Sequence, residues 1–268
     1  MRYPVVAGTF YPADYEELKK QISSFFERFE EIEIPEKSID LTGLIVPHAG
    51  YVFSGQTAAY GYYELMKKGK VKTAIIIGPN HTGVGPSLSV YPEGSWLTPF
   101  GTIDVDTEIS NFILSELRIK GDIIAHEYEH SIEVQLPFLQ YLYGNDFKIV
   151  PIIMGVQTLE MSKKLSKVIK KFAKDGVVII ASSDLNHYEN HEVTLEKGNF
   201  IIEALKEKSP EKVYEYIKKY NITACGFGAI NTLLYTGFEN VRILHHTTSG
   251  EIFGDYERTV GYLSAILE

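Results

Sequence analysis

The chain has 268 residues, 44% of them hydrophobic, enough for one large domain or two small ones around a substantial core. A formal charge of −9 argues against a general nucleic-acid footprint, which needs a basic surface to neutralise phosphates. One cysteine, Cys225, excludes an intrachain disulfide and fits a reducing compartment. The first residues lack the apolar segment of a secretory signal, and no apolar run nears the roughly 20 residues that span a bilayer, so a soluble cytoplasmic protein is expected. Plentiful Glu, Lys and Ile with little Gln hint at a heat-adapted source.

In chain order, residues 1–13 read as an ordered arm, limited by Pro4 and Pro12 and carrying Phe10 and Tyr11 for packing on the body. Asp14 is a good N-cap for a helix whose apolar face is Leu18, Ile22, Phe25, Phe26 and Phe29. An acidic connection (30–42) leads to a strand over Gly43 to Val46. The pattern then predicts a helix from Ser54 to Lys67-Lys68, stopped at Gly69, and a continuous β-branched strand over Thr73 to Ile77. That strand–helix–strand order is a crossover unit with parallel pairing. Residues 82–104 read as a hairpin-like insertion flanking the site, followed by helices over Thr107 to Leu117 and Ser131 to Tyr141, with strand or loop at 121–125. A strand (Lys148 to Ile153), a helix (Thr158 to Ala173) and a strand (Val177 to Ala181) come next. Helices over 191–206 and 210–219, one more after Cys225, and strands over Val241 to His245 and Thr259 to Ile266 close the chain. The expected fold is a single α/β domain over 1–268, with a central mixed, mostly parallel β-sheet covered by helices on both faces.

Two stretches share one grammar. Leu44-Ile45-Val46-Pro47-His48 and Ala74-Ile75-Ile76-Ile77-Gly78-Pro79-Asn80-His81 are apolar strands that each hand over to a loop with one imidazole. Ligands in open α/β sheets sit beyond the carboxyl ends of strands, and imidazole suits Fe, Zn, Cu or Ni. His48 and His81 are therefore candidate ligands. A third strand end carries Asp184 and His187, which read either as a proton-moving pair or as a helix cap beside a surface histidine. Cys225 reads either as an inert buried thiol or as a ligand at a helix start, with Gly226 permitting close approach. His126-Glu-Tyr-Glu-His130 matches the zinc-protease pattern, but no continuous helix is expected there to put both histidines on one face. Gly50 to Thr57 resembles a phosphate loop with Gln56 where lysine is required and three bulky residues in the cradle, so nucleotide binding is rejected. His245 and His246 should face opposite sides of their strand.

Six motifs occur in order along nearly the whole chain: Ala7-Gly8-Thr9-Phe10-Tyr11-Pro12, Pro47-His48-Ala49-Gly50-Tyr51, Gly78-Pro79-Asn80-His81, Glu129-His130-Ser131-Ile132-Glu133, Ser182-Ser183-Asp184 with His187, and Cys225-Gly226. Together they resemble the Memo (mediator of cell motility) family. The resemblance implies a fold like the class III extradiol dioxygenases, with His48, His81 and Cys225 as ligands to iron, Fe(II), or copper. It implies Asp184 and His187 as catalytic groups beside the metal, with His187 at the acid/base position. Phe10, Tyr51, His130 and Glu133 would line the pocket. It also implies a link to a radical-SAM protein and an AMMECR-type protein. The dioxygenases use two histidines and a carboxylate, so a thiol third ligand separates fold from activity.

Three functions follow as expectations: a metal protein with redox activity at the His/His/Cys site, an extradiol-type dioxygenase acting on an aromatic diol, or a module binding a peptide or carboxylate in the same cleft.

Overall fold

A computed structural model describes residues 1–172 and 174–268. Asp14 caps helix α1 (Tyr15–Phe26), its carboxylate accepting from the Glu16 and Glu17 amides, and Leu18 and Ile22 turn inward. Strand β1 (Thr42–Val46), helix α2 (Tyr51–Met66) and strand β2 (Thr73–Pro79) form the expected crossover unit, and every residue of both strands is buried. Next come β3 (Leu88–Val90), β4 (Ser95–Thr98), β5 (Gly101–Val105), α3 (Thr107–Leu117) and the single turn α4 (Ile124–Glu127). A 3₁₀ turn at Glu133–Gln135 leads into α5 (Leu136–Tyr143), then β6 (Lys148–Met154), α6 (Leu159–Ile169), β7 (Val177–Ser182) and β8 (His187–Glu189). The chain finishes with α7 (His191–Lys206), α8 (Pro210–Lys219), α9 (Phe227–Thr236), β9 (Val241–Thr248), α10 (Ser249–Phe253) and β10 (Thr259–Leu267).

The ten strands make one mixed sheet in the order β4-β5-β6-β2-β7-β1-β10-β8, with β3 also on β6 and β9 also on β10. The central run β5-β6-β2-β7-β1 is parallel, and the flanking pairs are antiparallel. Side chains alternate along each central strand, which splits the core into two layers. Ile45, Ile75, Ile77 and Ile179 pack beneath α3, α6, α7 and α9. Leu44, Val46, Ile76 and Ile180 pack beneath α1, α2 and α5. The result is the α/β architecture with helices on both faces that the pattern predicted.

The parallel register matters most for the site. Val46 lies opposite Ser182, and Ile77 opposite Ala181. The carboxyl ends of β1, β2 and β7 therefore finish level, and the loops after them start side by side.

Several boundaries differ from the sequence reading. Helix α2 begins at Tyr51 rather than Ser54, because the Tyr51 amide donates to the Phe10 carbonyl at 2.7 Å and Tyr51 is buried on the arm. Residues 121–125 run into a helical turn, with the Asp122 carboxylate accepting from the Ile124 and Ala125 amides. The insertion at 82–104 is a tight β4–β5 hairpin, with β3 leaving it to pair with β6. The helix expected from Thr158 ends at Ile169 and passes into a 3₁₀ turn, and its expected last residue, Ala173, lies outside the described residues. Strand β8 was not foreseen, being three residues long and defined only by pairing with β10. His245 and His246 do face opposite layers: His245 stacks on Tyr60 of α2 at 4.4 Å, whereas His246 meets α7 at Gly198, where a Cβ would lie 2.2 Å from its Nε2.

Candidate metal centre

The two strand-end histidines meet. The His48 and His81 rings lie 5.2 Å apart, and His130 lies 4.6 Å from His81 and 5.5 Å from His48. The Cys225 sulfur sits 3.1 Å from His48 Nε2. Ligand atoms of His48, His81 and Cys225 all fall within 4.8 Å of one another. A second such group is His81, Glu129 and His130.

Each member is held by its neighbours. The His48 amide donates to Asp184 Oδ1 at 2.8 Å, tying the loop after β1 to the loop after β7. The His81 amide donates to Glu129 Oε2, and its Nδ1 lies 2.9 Å from Oε1, so one carboxylate grips both backbone and ring. The Ser131 amide fills Glu129 Oε1 further. Glu129 is thus occupied as a support for His81, a role the sequence reading left unassigned. The loop bearing His130 and Ser131 approaches β2 closely, since a Cβ on Gly78 would lie 2.3 Å from Ser131 Oγ. Gly226 does the same for Cys225: a Cβ there would lie 2.4 Å from the Ser182 carbonyl, and its amide donates to Ser183 Oγ.

The electrostatics follow from burial and these contacts. Burial, then the neighbouring His130 and His81, holds His48 well below the ordinary imidazole pKa. Burial also works against protonated His81, but the hydrogen bond and charge of Glu129 outweigh it and raise the pKa. Burial likewise opposes the Glu129 carboxylate, yet His81 and the two amides bring it down to about 2. Burial and the Asp184 charge push the Cys225 thiol up. Asp184 itself is raised by burial, against the pull of the His48 amide.

His187 is half-buried at the start of β8. Its Nδ1 lies 2.9 Å from the Thr223 carbonyl, and its amide donates to Thr223 Oγ1. It is near enough for its charge to act on His48 and Asp184. Phe10 sits against His130 at 4.7 Å between ring centres. Tyr51 and Glu133 belong to the interior instead. The Tyr51 hydroxyl donates to the Val134 carbonyl, and Glu133 accepts from Arg2, Tyr11 and the Val5 and Val6 amides. Of the residues expected to line the pocket, Tyr51 and Glu133 are therefore buried, and Phe10 and His130 remain beside the cluster.

The zinc-protease pattern does not assemble. Helix α4 stops at Glu127, and His126 is buried between Tyr91 and Trp96, its Nε2 on Ser89 Oγ. Gly50 to Thr57 is largely helix rather than phosphate loop. No helix among the described residues is long and apolar enough to cross a membrane.

A parallel-centred α/β sheet with histidines and a thiol gathered beyond its carboxyl edge defines the class. The Memo-like protein family model matches residues 2–266, and the chain belongs to the Memo family. It is 46% identical over 275 residues to a MEMO1 family protein of Thermotoga maritima, covering 99% of both chains. It is 42% identical to one of Saccharolobus solfataricus, covering 98% of both. Its fold also resembles the crystal structure of an uncharacterized protein from Escherichia coli K12, with a TM-score of 0.59 at 13% identity over 85% of this chain and 99% of that one.

Proposed function

We propose that this Memo-family chain binds one iron or copper ion through His48, His81 and Cys225, and that it carries out redox chemistry there. The observation that supports this is the convergence of two imidazoles and a thiol, from three separate stretches, within 4.8 Å. Metal–nitrogen and metal–sulfur bonds of about 2.0–2.3 Å let one ion bridge such a span. The donor set is soft on one side, which favours Cu(I) or an iron of altered potential. A bound ion of this kind supplies one-electron exchange.

The protein's own groups fit that role. The partners of His81 Nδ1 and His187 Nδ1 are a carboxylate and a carbonyl, which only accept, so both rings carry hydrogen on Nδ1. In the neutral ring each Nε2 is left with its lone pair. For His81 that is a ligand atom, and for His187 it is a proton acceptor. Asp184 positions His48 through its backbone amide. An imidazole backed by a carboxylate is the usual outer support of a metal-ligating histidine. An extradiol-type reaction is less well supported: neither three-residue group puts a carboxylate together with both His48 and His81.

The test is elemental analysis of protein prepared without a tag. Close to one iron or copper per chain is expected, falling to background in the His48→Ala, His81→Ala double variant. Full metal retention in that variant overturns the assignment.

A further inference from the structure

Among the hydrogen bonds around His48, one chain of donors has only one consistent direction. Its outer link is the amide of Gln135. Gln135 Nε2 lies 2.9 Å from the Pro47 carbonyl and 2.8 Å from Ser182 Oγ, and its Oε1 accepts from the Tyr62 hydroxyl at 2.8 Å. Rotating the amide would set its oxygen against the Pro47 carbonyl, two acceptors facing each other, so the nitrogen must point there. Gln135 therefore donates to Ser182 Oγ. The Ser182 hydroxyl has one hydrogen, and the Ser131 carbonyl, 2.6 Å away, can only accept it. With its hydrogen committed there and one lone pair taken by Gln135, Ser182 Oγ can meet His48 Nδ1, at 2.9 Å, only as an acceptor.

We infer that Ser182, aligned by Gln135 and Tyr62, is a positioning residue that holds His48 as the tautomer protonated on Nδ1 and so keeps its Nε2 lone pair turned toward Cys225. Three fixed points set the direction: the Pro47 carbonyl, the Ser131 carbonyl and the single hydroxyl hydrogen. All the side chains in the relay are buried, so water cannot offer His48 an alternative partner easily. Ser182 ends β7 opposite Val46 of β1, so the sheet register itself brings the hydroxyl under the ring. His81 reaches the same protonation pattern through a carboxylate, and His48 through a neutral serine. The consequence for metal uptake rests on the proposed metal site; the tautomer itself does not.

Nitrogen NMR of metal-free protein, using long-range proton–nitrogen correlations of the His48 ring, reads the tautomer directly. The expected pattern is protonated Nδ1 and bare Nε2. Ser182→Ala should mix or invert it and weaken binding of added Cu(I) or Fe(II) about 10- to 100-fold. Gln135→Met should act in the same direction more weakly, and Ser182→Thr, which keeps a hydroxyl, should restore the wild-type pattern. A wild-type His48 protonated on Nε2 overturns the inference whether or not any variant folds. So does a folded Ser182→Ala protein with unchanged tautomer. If the tautomer and its loss in Ser182→Ala are found but wild-type protein binds neither ion, the relay stands and the metal assignment falls.

Discussion

Two buried carboxylates, Glu129 and Glu133, sit one helical turn apart in sequence and are saturated in different ways. Glu133 accepts from the Arg2 guanidinium at 2.6 Å, from the Tyr11 hydroxyl at 2.7 Å and from the Val5 and Val6 amides. All of its donors belong to the N-terminal arm, and none presents a free end to the site. Glu129 accepts from the His81 ring and amide and from the Ser131 amide. One of those donors, the imidazole, uses only Nδ1 and leaves its second ring nitrogen, Nε2, outside the contact. Burial of a charge does not distinguish a structural node from a functional one. The free end of its partner does.

The largest expected effect breaks the structural side. Glu133→Ala leaves the Arg2 guanidinium, almost wholly enclosed, without its counter-ion. Loss of one partner of a buried pair costs about 3–5 kcal/mol, which urea unfolding would read. Metal content per folded chain should not change. Metal loss at wild-type stability would mean that Glu133 belongs to the site.

Glu129→Gln probes the other node. It keeps the shape of the side chain but removes the charge behind His81. We expect Cu(I) or Fe(II) affinity, measured with competing chelators, to fall about 10- to 100-fold, with a smaller loss of stability than in Glu133→Ala. Affinity equal to wild type would place His81 outside any metal site.

A third test uses His126, four residues before His130 and equally aromatic in its surroundings. Burial holds it neutral, with a pKa lowered to about 3. In the unfolded chain it protonates near the ordinary histidine value of about 6.5. The unfolded state therefore binds the extra proton as pH falls below that value, and stability drops. The loss should be about 2 kcal/mol between pH 6.5 and 5, and His126→Phe should remove that share of the slope. An unchanged acid limb in the variant would show that His126 is protonated in the native protein.

The smallest effect is expected at Phe10. Its ring contact with His130 is a single aromatic pair, and Phe10→Ala should cost about 1 kcal/mol of stability beyond the area lost. A much larger loss would show that the whole arm depends on this contact, rather than on the Arg2–Glu133 pair.

Much of this is legible in the sequence. The short, β-branched apolar runs of β1, β2 and β7 read as buried strands, and the imidazoles behind two of them pointed to one sheet edge. The capped helix after Asp14 and the opposite facing of His245 and His246 follow from local periodicity. The misplaced start of α2 came from a long-range contact, Tyr51 against the arm, which no local pattern records. Tyr51 and Glu133 sit in motifs beside site residues, yet their side chains turn into the core. Gln135 and Thr223 carried no signal as isolated polar residues, and Ser182 and Glu129 were visible only as parts of motifs.

By itself, the order of residue types determined that there would be a parallel-centred α/β sheet with two histidines at its carboxyl edge, because strand periodicity and crossover handedness are local properties of the chain. Only the tertiary structure decided that Cys225 reaches His48 and which hydrogen each imidazole keeps. Those outcomes depend on sheet register and on donors and acceptors more than a hundred residues apart in some cases, such as Ser182 beneath His48. A hydrogen-bond direction is set by all the partners at once, and those partners exist only when the chain has folded.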